Sequence, residues 1–300
     1  MSAGKDSPHA SPETAGPAGG FSRVAVLGTG LIGGSFALAV RSTFPGVAIT
    51  GWDRPEVLQR AAERGAITRA ASSLAEAISG AELIYIALPI AATLDLLPEI
   101  ARHAPAGALV TDAASTKSTI CRAAAELFRV GAQFLGGHPL AGKETGGIES
   151  AEAALFSGAK YALVGDSSTP RAARMEALLR ALGTEPVWLD SETHDWAVGI
   201  VSHLPQLVVV ALASTVEDET DETGLPLSLA GPGLRDALRL AGSPYAMWRD
   251  VCLTNRENVG RSLERIIQAL EHLRASLSSR ELEAQFAAAN RIYKSLRELD

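Results

Sequence analysis

The stretch that decides the fold extends over residues 23–53 and reads RVAVLGTGLIGGSFALAVRSTFPGVAITGWD. Its apolar run VAVL, at residues 24–27, is typical of a parallel strand that is covered on both faces. Gly28, Gly30 and Gly33 follow this run with the spacing G-x-G-x-x-G. A helix-like segment and a second apolar run come next, so the stretch predicts a strand, a tight turn, a helix and a second strand.

The glycine turn has the features of a dinucleotide site. Gly28 permits the tight turn, Gly30 lets a pyrophosphate approach the backbone, and Gly33 lets the helix pack closely against the strand. The N-terminus of the helix, which contains Leu31 and Ile32, carries about half a positive charge and faces the phosphates. We therefore expect these five residues to contact a dinucleotide.

Asp53 indicates which dinucleotide binds. It lies at the end of the second predicted strand, where a carboxylate accepts hydrogen bonds from the hydroxyls of the adenosine ribose. The same negative charge repels the additional phosphate of NADP, so the sequence favours NAD as cofactor. The neighbouring Arg54 would weaken this preference, because a guanidinium binds phosphate.

The bulk composition excludes several classes of protein. The 300 residues are 47% hydrophobic and 20% charged, as in an ordinary globular protein with a sizeable core. The formal net charge of -7, without a basic block, argues against a nucleic-acid partner. Cys121 and Cys252 have neither metal-ligand spacing nor the number that a disulfide framework needs, which favours a reducing compartment and predicts no metal.

Two segments bear on localisation. Residues 1–20, MSAGKDSPHASPETAGPAGG, lack the apolar region of a secretory signal, and their Ser, Pro, Ala and Gly content predicts a disordered tail. The apolar run after His203, LPQLVVVALA, is shorter than the roughly twenty residues that a bilayer requires. We therefore expect a cytoplasmic protein without a membrane partner.

Apolar runs alternate with helix-like spacers up to residue 189, and the pattern then changes. The alternation predicts a doubly wound parallel sheet in residues 21–189. Residues 190–300 carry mostly helical patterns and predict an all-helical domain, with a solvated acidic loop at 217–224. The predicted strands are 24–27, 47–50, 83–88, 108–112, 133–137, 161–165 and 186–189, and the helical patterns of the second part are 195–216, 228–241, 244–275 and 278–298.

Ligands of doubly wound sheets bind beyond the carboxyl ends of the strands, so the residues that follow the predicted strands are candidates for a site. Pro89 follows one strand in an apolar loop of the kind that flanks a nicotinamide. Ser115, in the segment AASTK, either contacts a ligand or, like Thr116, caps the next helix. His138, in GGHPLAGKETGG, carries an imidazole whose usual pKa of about 6.5 lets its neutral form accept a proton near physiological pH.

The helical part offers further candidates, each with a plainer alternative. His203, in SHLPQ, is either a ligand or a buried histidine of the core. Arg235 and Arg239 are four residues apart and are expected on one helical face, where a guanidinium can bind a carboxylate bidentately. The alternative is a surface helix on which Asp236 pairs with Arg239.

Taken together, these motifs resemble the prephenate/arogenate dehydrogenase family of tyrosine biosynthesis. The matching segments are GTGLIGGS, DAASTK, GGHPLAGKETGG, SHLPQ and AGPGLRDALRLAGSPYAMWRDVCLTNRENV. As a set, they are far more specific than a glycine turn alone. The resemblance implies an NAD(P)-binding Rossmann domain joined to a helical dimerisation domain, and therefore a homodimer.

The resemblance also implies a reaction and roles for residues. Prephenate would be oxidatively decarboxylated to 4-hydroxyphenylpyruvate, or arogenate to tyrosine, with hydride transfer to the nicotinamide. By matching motif positions, His138 looks like the acceptor of the ring hydroxyl's proton, and Ser115 like its hydrogen-bonding partner. Arg239 would bind a substrate carboxylate. Asp236 and Trp248 would belong to the wall of the substrate site.

SHLPQ contains one departure from the family pattern. Several relatives have a second histidine where this chain has Gln206, which is neutral at every pH and both donates and accepts hydrogen bonds. His203 and Gln206 are thus expected near the substrate, and Gln206 leaves prephenate and arogenate open. Prephenate is the favoured substrate, whereas the ammonium of arogenate would favour a nearby carboxylate such as Glu144 or Asp236.

Two other classes of protein compete with this interpretation. A 3-hydroxyacid dehydrogenase would share the fold but would need a lysine in its helical domain, where Lys294 alone follows Lys160. A non-catalytic dinucleotide sensor would need the glycine turn and Asp53, but neither His138 nor Arg239. Replacement of His138 separates a sensor from an enzyme.

Overall fold

The computed structural model describes residues 20–298, and they form two compact units. The predicted disordered tail, residues 1–20, lies outside the described residues apart from Gly20. The first unit extends to Asp195 and adds Ser243–Thr254, and the second unit comprises Trp196–Gly242 and the chain from Asn255 onward. The sequence predicts a division at residue 189, whereas the first unit also includes residues 190–195 and 243–254. These two segments belong to it because Asp195 and Asp250 each accept a hydrogen bond from a backbone N–H of the first unit.

An eight-stranded sheet forms the centre of the first unit, in the order β3-β2-β1-β4-β5-β6-β7-β8. The chain reverses its direction of winding between β1 and β4, which places the topological switch point beside the glycine turn. The strands are β1 (Arg23–Leu27), β2 (Ala48–Trp52), β3 (Arg69–Ala70), β4 (Leu83–Ile86), β5 (Leu109–Asp112), β6 (Gln133–Pro139), β7 (Lys160–Val164) and β8 (Glu185–Leu189).

Buried apolar residues alternate between the two faces of this sheet, as period-two side chains on a doubly covered sheet must. On β1, Val24 and Val26 belong to one core cluster and Ala25 and Leu27 to the other. In the first cluster, Tyr85 of β4 stacks on a phenylalanine of the helix after β1, with ring centroids 3.8 Å apart. The seven apolar runs identified in the sequence all form strands, and the two-residue β3 is an addition.

The sheet is mostly parallel, as the sequence predicts, and one pair of strands is antiparallel. β7 runs antiparallel to β6, and β8 runs parallel to β7. A parallel connection needs a crossover, usually a helix, whereas residues 140–159, all of them described, form a loop with two short 3₁₀ turns. This loop contacts the helix after β1, where the N–H of Glu152 donates to Ser35 Oγ over 2.9 Å.

Thirteen α-helices lie in the described residues. They are α1 (Leu31–Thr43), α2 (Pro55–Glu63), α3 (Leu74–Ile78), α4 (Ile90–His103), α5 (Ser118–Leu127), α6 (Pro170–Ala181), α7 (Ser191–Val198), α8 (Leu204–Asp218), α9 (Leu225–Ser228), α10 (Pro232–Ala237), α11 (Tyr245–Thr254), α12 (Arg256–Ala275) and α13 (Glu281–Arg297).

The second unit is helical, as the sequence predicts, and many of its apolar side chains are exposed. A π-helix, Gly199–His203, joins α7 to α8, so that Ser191–Asp218 forms one helical stretch of 28 residues. Its most apolar 18-residue window has a mean hydropathy of 1.8 and is 22% buried. By length and composition alone this stretch could cross a membrane, but an apolar helix that is covered by protein meets the same criteria.

Candidate active site

The glycine turn has the steric demands that its spacing predicts. Gly28 has a φ of +87°, and a Cβ there would lie 2.4 Å from the carbonyl oxygen of Ala87. A Cβ on Gly33 would lie 1.9 Å from the carbonyl oxygen of Gly28, so the helix and the turn touch. At Gly30, by contrast, a Cβ would have no described atom within 4 Å. The first and third glycines are thus required by the fold, whereas the second keeps a space open.

The turn is completed by the N-terminus of α1 and by Asp53. The N-cap residue of α1 is Gly30, which has no side chain to bind the first N–H groups of the helix. N–H groups at the start of a helix are a favourable site for phosphate. The Asp53 carboxylate accepts the N–H of Thr29 over 2.7 Å and the N–H of Arg54 over 2.7 Å. These bonds hold the carboxylate beside the turn, where the hydroxyls of a nucleoside ribose can reach it. The open space, the helix N-terminus and the fixed carboxylate fit a dinucleotide.

Two cavities of the first unit bring the predicted cofactor residues together. One, of about 460 Å³, is lined by Gly30, Asp53 and Arg54 among others. The other, of about 530 Å³, is largely apolar and lies at the switch point. Four residues proposed from the sequence line this cavity, namely Leu31, Ile32, Pro89 and Ser115. It is also lined by Lys143 and Glu144 of the loop after β6.

The first turn of α4 is held by the carboxylate of Asp250, which is distant in sequence. Asp250 of α11 accepts the N–H of Ala91 over 3.0 Å and pairs with Arg249. The bond from this backbone N–H, with the adjacent guanidinium, holds the pKa of the Asp250 carboxyl below its usual value. Pro89 and Asp250 thereby stand on one wall of the larger cavity. Trp248, on the same helix, packs partly buried against the second core cluster of the sheet.

His138 lies inside β6, where the sequence placed it just after a strand. It pairs with Ala162 of β7, and 9% of its surface is exposed. Its Nδ1 lies 2.9 Å from Nε2 of His194, a residue that the sequence did not single out. His194 Nδ1 lies 2.8 Å from Oδ1 of Asp195, and both residues are 1% exposed. The structure therefore places His138 at one end of a buried chain of three side chains.

Asp195 also determines how α5 begins. Its carboxylate accepts the N–H of Lys117 over 2.7 Å and the N–H of Ser118 over 2.9 Å. In the described residues the first N–H groups of α5 are thus bound by Asp195, and of the two alternatives for Ser115 and Thr116 the structure does not show the helix cap. Ser115 instead faces the larger cavity, and the hydroxyl of Thr116 bonds to that of Thr254 over 2.8 Å.

A buried ion pair fixes the backbone that precedes His138. Lys117 and Asp112 are both fully buried and paired through Nζ and Oδ2. Lys117 Nζ also donates to the carbonyl oxygen of Gly137 over 2.7 Å, and the N–H of Gly137 donates to Asp112 Oδ1 over 3.1 Å. A Cβ on Gly137 would lie 2.5 Å from the Asp112 carbonyl oxygen. Both polar groups of the Gly137 backbone are therefore bound by this pair, and the position of His138 follows.

The remaining predicted substrate residues belong to the second unit. His203 and Gln206 are 1% and 3% exposed. His203 Nδ1 lies 3.1 Å from the amide nitrogen of Asn255, and Gln206 donates to the carbonyl oxygen of Leu240 over 2.9 Å. Gln206 therefore contacts the short helix that carries Arg239.

Arg235 and Arg239 do not share one α-helix, in contrast to the prediction. α10 ends at Ala237, and Leu238–Gly242 continues as a 3₁₀ helix. Asp236 and Arg239 are both exposed. Within the described residues, no group of His, Cys, Asp and Glu is arranged to hold a metal ion.

The parallel sheet, the glycine turn at its switch point and the fixed acidic residue after β2 define a dinucleotide-binding domain of the Rossmann class. Comparisons with known proteins give the family. The model of the prephenate dehydrogenase nucleotide-binding domain matches residues 36–185, and that of the prephenate dehydrogenase dimerization domain matches residues 190–290. The chain belongs to the prephenate dehydrogenase family.

Individual relatives agree over most of their length. The prephenate dehydrogenase of Lactococcus lactis subsp. cremoris is 35% identical over 267 residues, which cover 87% of this chain and 73% of that protein. The Aquifex aeolicus prephenate dehydrogenase, solved with hydroxyphenyl propionate and NAD⁺, is 28% identical, with a TM-score of 0.83 and coverage of 93% and 98%. Synechocystis arogenate dehydrogenase is 30% identical, with a TM-score of 0.74 and coverage of 92% and 98%.

Proposed function

We propose that this protein is an NAD-dependent prephenate dehydrogenase, which converts prephenate to 4-hydroxyphenylpyruvate and carbon dioxide. The observation that carries the proposal is the 530 Å³ cavity, which is lined by Leu31 and Ile32 of α1 and also by Ser115. Membership of the family and the similarity to a prephenate dehydrogenase solved with NAD⁺ support it. The favoured cofactor is NAD, because Asp53 is held where it would repel a ribose phosphate.

In this proposal, the residues of the chain orient the substrate and remove a proton. Bound NAD supplies the acceptor for the hydride of the ring carbon that bears the hydroxyl. His138 takes the proton of that hydroxyl, and Ser115 hydrogen-bonds to the hydroxyl or to His138 and aligns them. The largely apolar wall of the cavity excludes water from the reacting groups.

The residues of the second unit have proposed binding roles. Arg239 is proposed to bind a substrate carboxylate, because a guanidinium matches a carboxylate bidentately. His203 and Gln206 are proposed to contact the substrate's side chain, and their burial and hydrogen bonds hold them in one orientation. Asp236 and Trp248 are proposed as parts of the substrate site's wall.

Turnover of prephenate with NAD is the expected outcome of a direct assay. The reduced nicotinamide is followed by its absorbance with prephenate and with arogenate, each against NAD and NADP. We expect the highest kcat/KM for prephenate with NAD, because Asp53 disfavours the additional phosphate of NADP. Absence of turnover with all four combinations would contradict the enzymatic proposal and favour the dinucleotide sensor.

Arogenate is the second candidate substrate, favoured by one specific observation. The Glu144 carboxylate lines the larger cavity, where it could attract the ammonium group that distinguishes arogenate from prephenate. Lys143 lines the same cavity and partly offsets that charge. Turnover with arogenate alone, or with both substrates, would reassign the specificity and leave the roles of Ser115 and His138 unchanged.

We also propose a homodimer that forms through the second unit. Apolar side chains of this unit are exposed along the π-helix before α8 and along α12 and α13, among them Val201, Ile267, Leu270, Phe286 and Ile292. Exposed apolar surface of this extent marks an interaction site, and the matching family model is that of a dimerization domain.

The expected result of sedimentation velocity at micromolar concentration is a species with the mass of two chains. Replacement of Phe286 and Ile292 by Asp should shift this species toward the monomer, because desolvating a carboxylate at an apolar interface is costly. The matched control is Val130→Asp, which changes an exposed apolar residue of the first unit. A monomer in the unmodified protein would contradict the dimer. A cytoplasmic location is proposed with it, supported by the two cysteines, both free in the described residues.

A further inference from the structure

We propose that His194, backed by Asp195, is a positioning residue that holds His138 in a single tautomer, with the proton on Nδ1 and the lone pair on Nε2. The inference rests on the proposed function, in which His138 takes a proton from the substrate. It adds two residues to that site that come from the start of α7 rather than from the motifs after the strands.

Asp195 is the fixed end of the chain of bonds. Burial raises the pKa of its carboxyl, but the hydrogen bonds from His194 and from the N–H groups of Lys117 and Ser118 outweigh burial and hold the pKa below its usual value. Asp195 is therefore ionised at neutral pH and acts only as an acceptor. Its neighbour at 2.8 Å, Nδ1 of His194, must carry the proton.

The ionised Asp195 carboxylate determines the tautomers of both His194 and His138. A neutral imidazole has one N–H and one lone pair, so with its proton on Nδ1, His194 presents its lone pair on Nε2. That atom lies 2.9 Å from Nδ1 of His138, which must then be the donor. The lone pair of His138 is consequently on Nε2. To remove the hydroxyl proton of the substrate, Nε2 of His138 must be a hydrogen-bond acceptor. In the other tautomer Nε2 would carry a proton and would be a donor.

The same chain stabilises His138 after it has accepted a proton. The imidazolium still donates from Nδ1 to His194, and the charge of Asp195 lies at the end of the chain. The opposite charges of the neighbouring ion pair largely cancel. The other charged or titratable groups on the elements packed against this part of β6 are Asp112, Lys117, Cys121 and Tyr161, which lie beside Gly136 and Gly137. Burial raises the pKa of the Cys121 thiol to about 12 and that of the Tyr161 hydroxyl well above its usual value, so both are neutral.

The first test measures the tautomers without substrate or cofactor. In ¹⁵N NMR spectra of the uncomplexed protein, which contains six histidines, His138 and His194 are assigned by single substitution. We expect both rings to be protonated on Nδ1 at neutral pH, and His138 to lose this preference in H194F. H194Q should restore it, because the glutamine oxygen can accept from Nδ1 of His138. A His138 ring protonated on Nε2 in the unmodified protein would overturn the proposal.

The second test uses kinetics. H194F should lower kcat about 10- to 100-fold, less than the loss of the base itself, with KM nearly unchanged. The acidic limb of its pH–rate profile should move to lower pH, because the imidazolium of His138 loses its partner. H194Q should recover part of kcat. The matched control is Tyr161→Phe, which removes a buried hydroxyl of the adjacent strand, bonded to Tyr85 over 3.3 Å, and should leave the limb in place.

The two tests separate failure of this inference from failure of the proposed function. If the protein turns over neither prephenate nor arogenate, the NMR result still decides the tautomer of His138. If H194F lowers kcat while the tautomer and the acidic limb stay unchanged, His194 only fills space, and the proposal is wrong.

Discussion

His138→Asn is expected to lower kcat about 100- to 10,000-fold, the usual cost of losing a general base. The asparagine keeps a short polar side chain on β6 but cannot take up a proton at any pH at which the enzyme is folded. NAD binding should change less than about twofold, because the glycine turn and Asp53 belong to other strands. In the unmodified protein, activity should fall as the medium is acidified and His138 becomes protonated.

Three measurements check this prediction. Steady-state kinetics with prephenate gives kcat, calorimetric titration gives the Kd for NAD, and circular dichroism gives Tm. His103→Asn, the same change at an exposed histidine near the end of α4, is the matched control and should leave all three unchanged. If His138→Asn retained more than about a tenth of wild-type kcat, or if wild-type activity were independent of pH between 5 and 8, His138 would not be the proton acceptor.

The two glycines of the cofactor turn are expected to respond oppositely to the same substitution. Gly33→Ala should lower the free energy of unfolding by about 3 kcal/mol or more, because the new methyl group would lie 1.9 Å from a backbone oxygen that cannot move alone. Gly30→Ala should lower it by only about 1 kcal/mol or less, because alanine is a poorer N-cap residue than glycine but its Cβ would meet no described atom within 4 Å. It should instead weaken NAD binding about tenfold or more by filling the space of the pyrophosphate.

Each variant is the control for the other, and urea unfolding midpoints together with NAD titrations separate them. A Gly33→Ala protein as stable as the wild type would mean that the turn can relax away from α1. A Gly30→Ala protein that binds NAD normally would mean that the pyrophosphate does not lie against this backbone.

The parts of the fold that the sequence predicts are those whose causes are local. The strand pattern and the G-x-G-x-x-G turn depend on residues within one strand–turn–helix unit, and both are found in the structure. The reversal of β7 could not be predicted in this way. It depends on the path of residues 140–159 over α1, where a backbone N–H meets the Ser35 hydroxyl, and no local periodicity records that contact.

The candidate site could be predicted from the sequence to a similar degree. His138 and Ser115 follow from motifs next to strands, but the partner of His138 lies 56 residues further along the chain, in a helix with no glycine or motif to mark it. The dipeptide His194–Asp195 reads as an ordinary polar start of a helix. The sequence does contain one signal, because His194 and Asp195 are adjacent and directly precede an apolar stretch. Titratable side chains that are buried, as these two are, require hydrogen-bond partners.

The Asp112–Lys117 pair has a consequence for engineering of this protein. Exchanging both charged residues for apolar ones of similar size could leave stability unchanged or even increase it, as is often found for such pairs, whereas removing one partner costs about 3–5 kcal/mol. Stability screens would therefore favour the double exchange. The pair, however, binds both the N–H and the carbonyl oxygen of Gly137, the residue before His138. A thermostable variant selected in this way would keep its fold and lose the alignment of His138, the proposed proton acceptor, so such screens should always be paired with an activity readout.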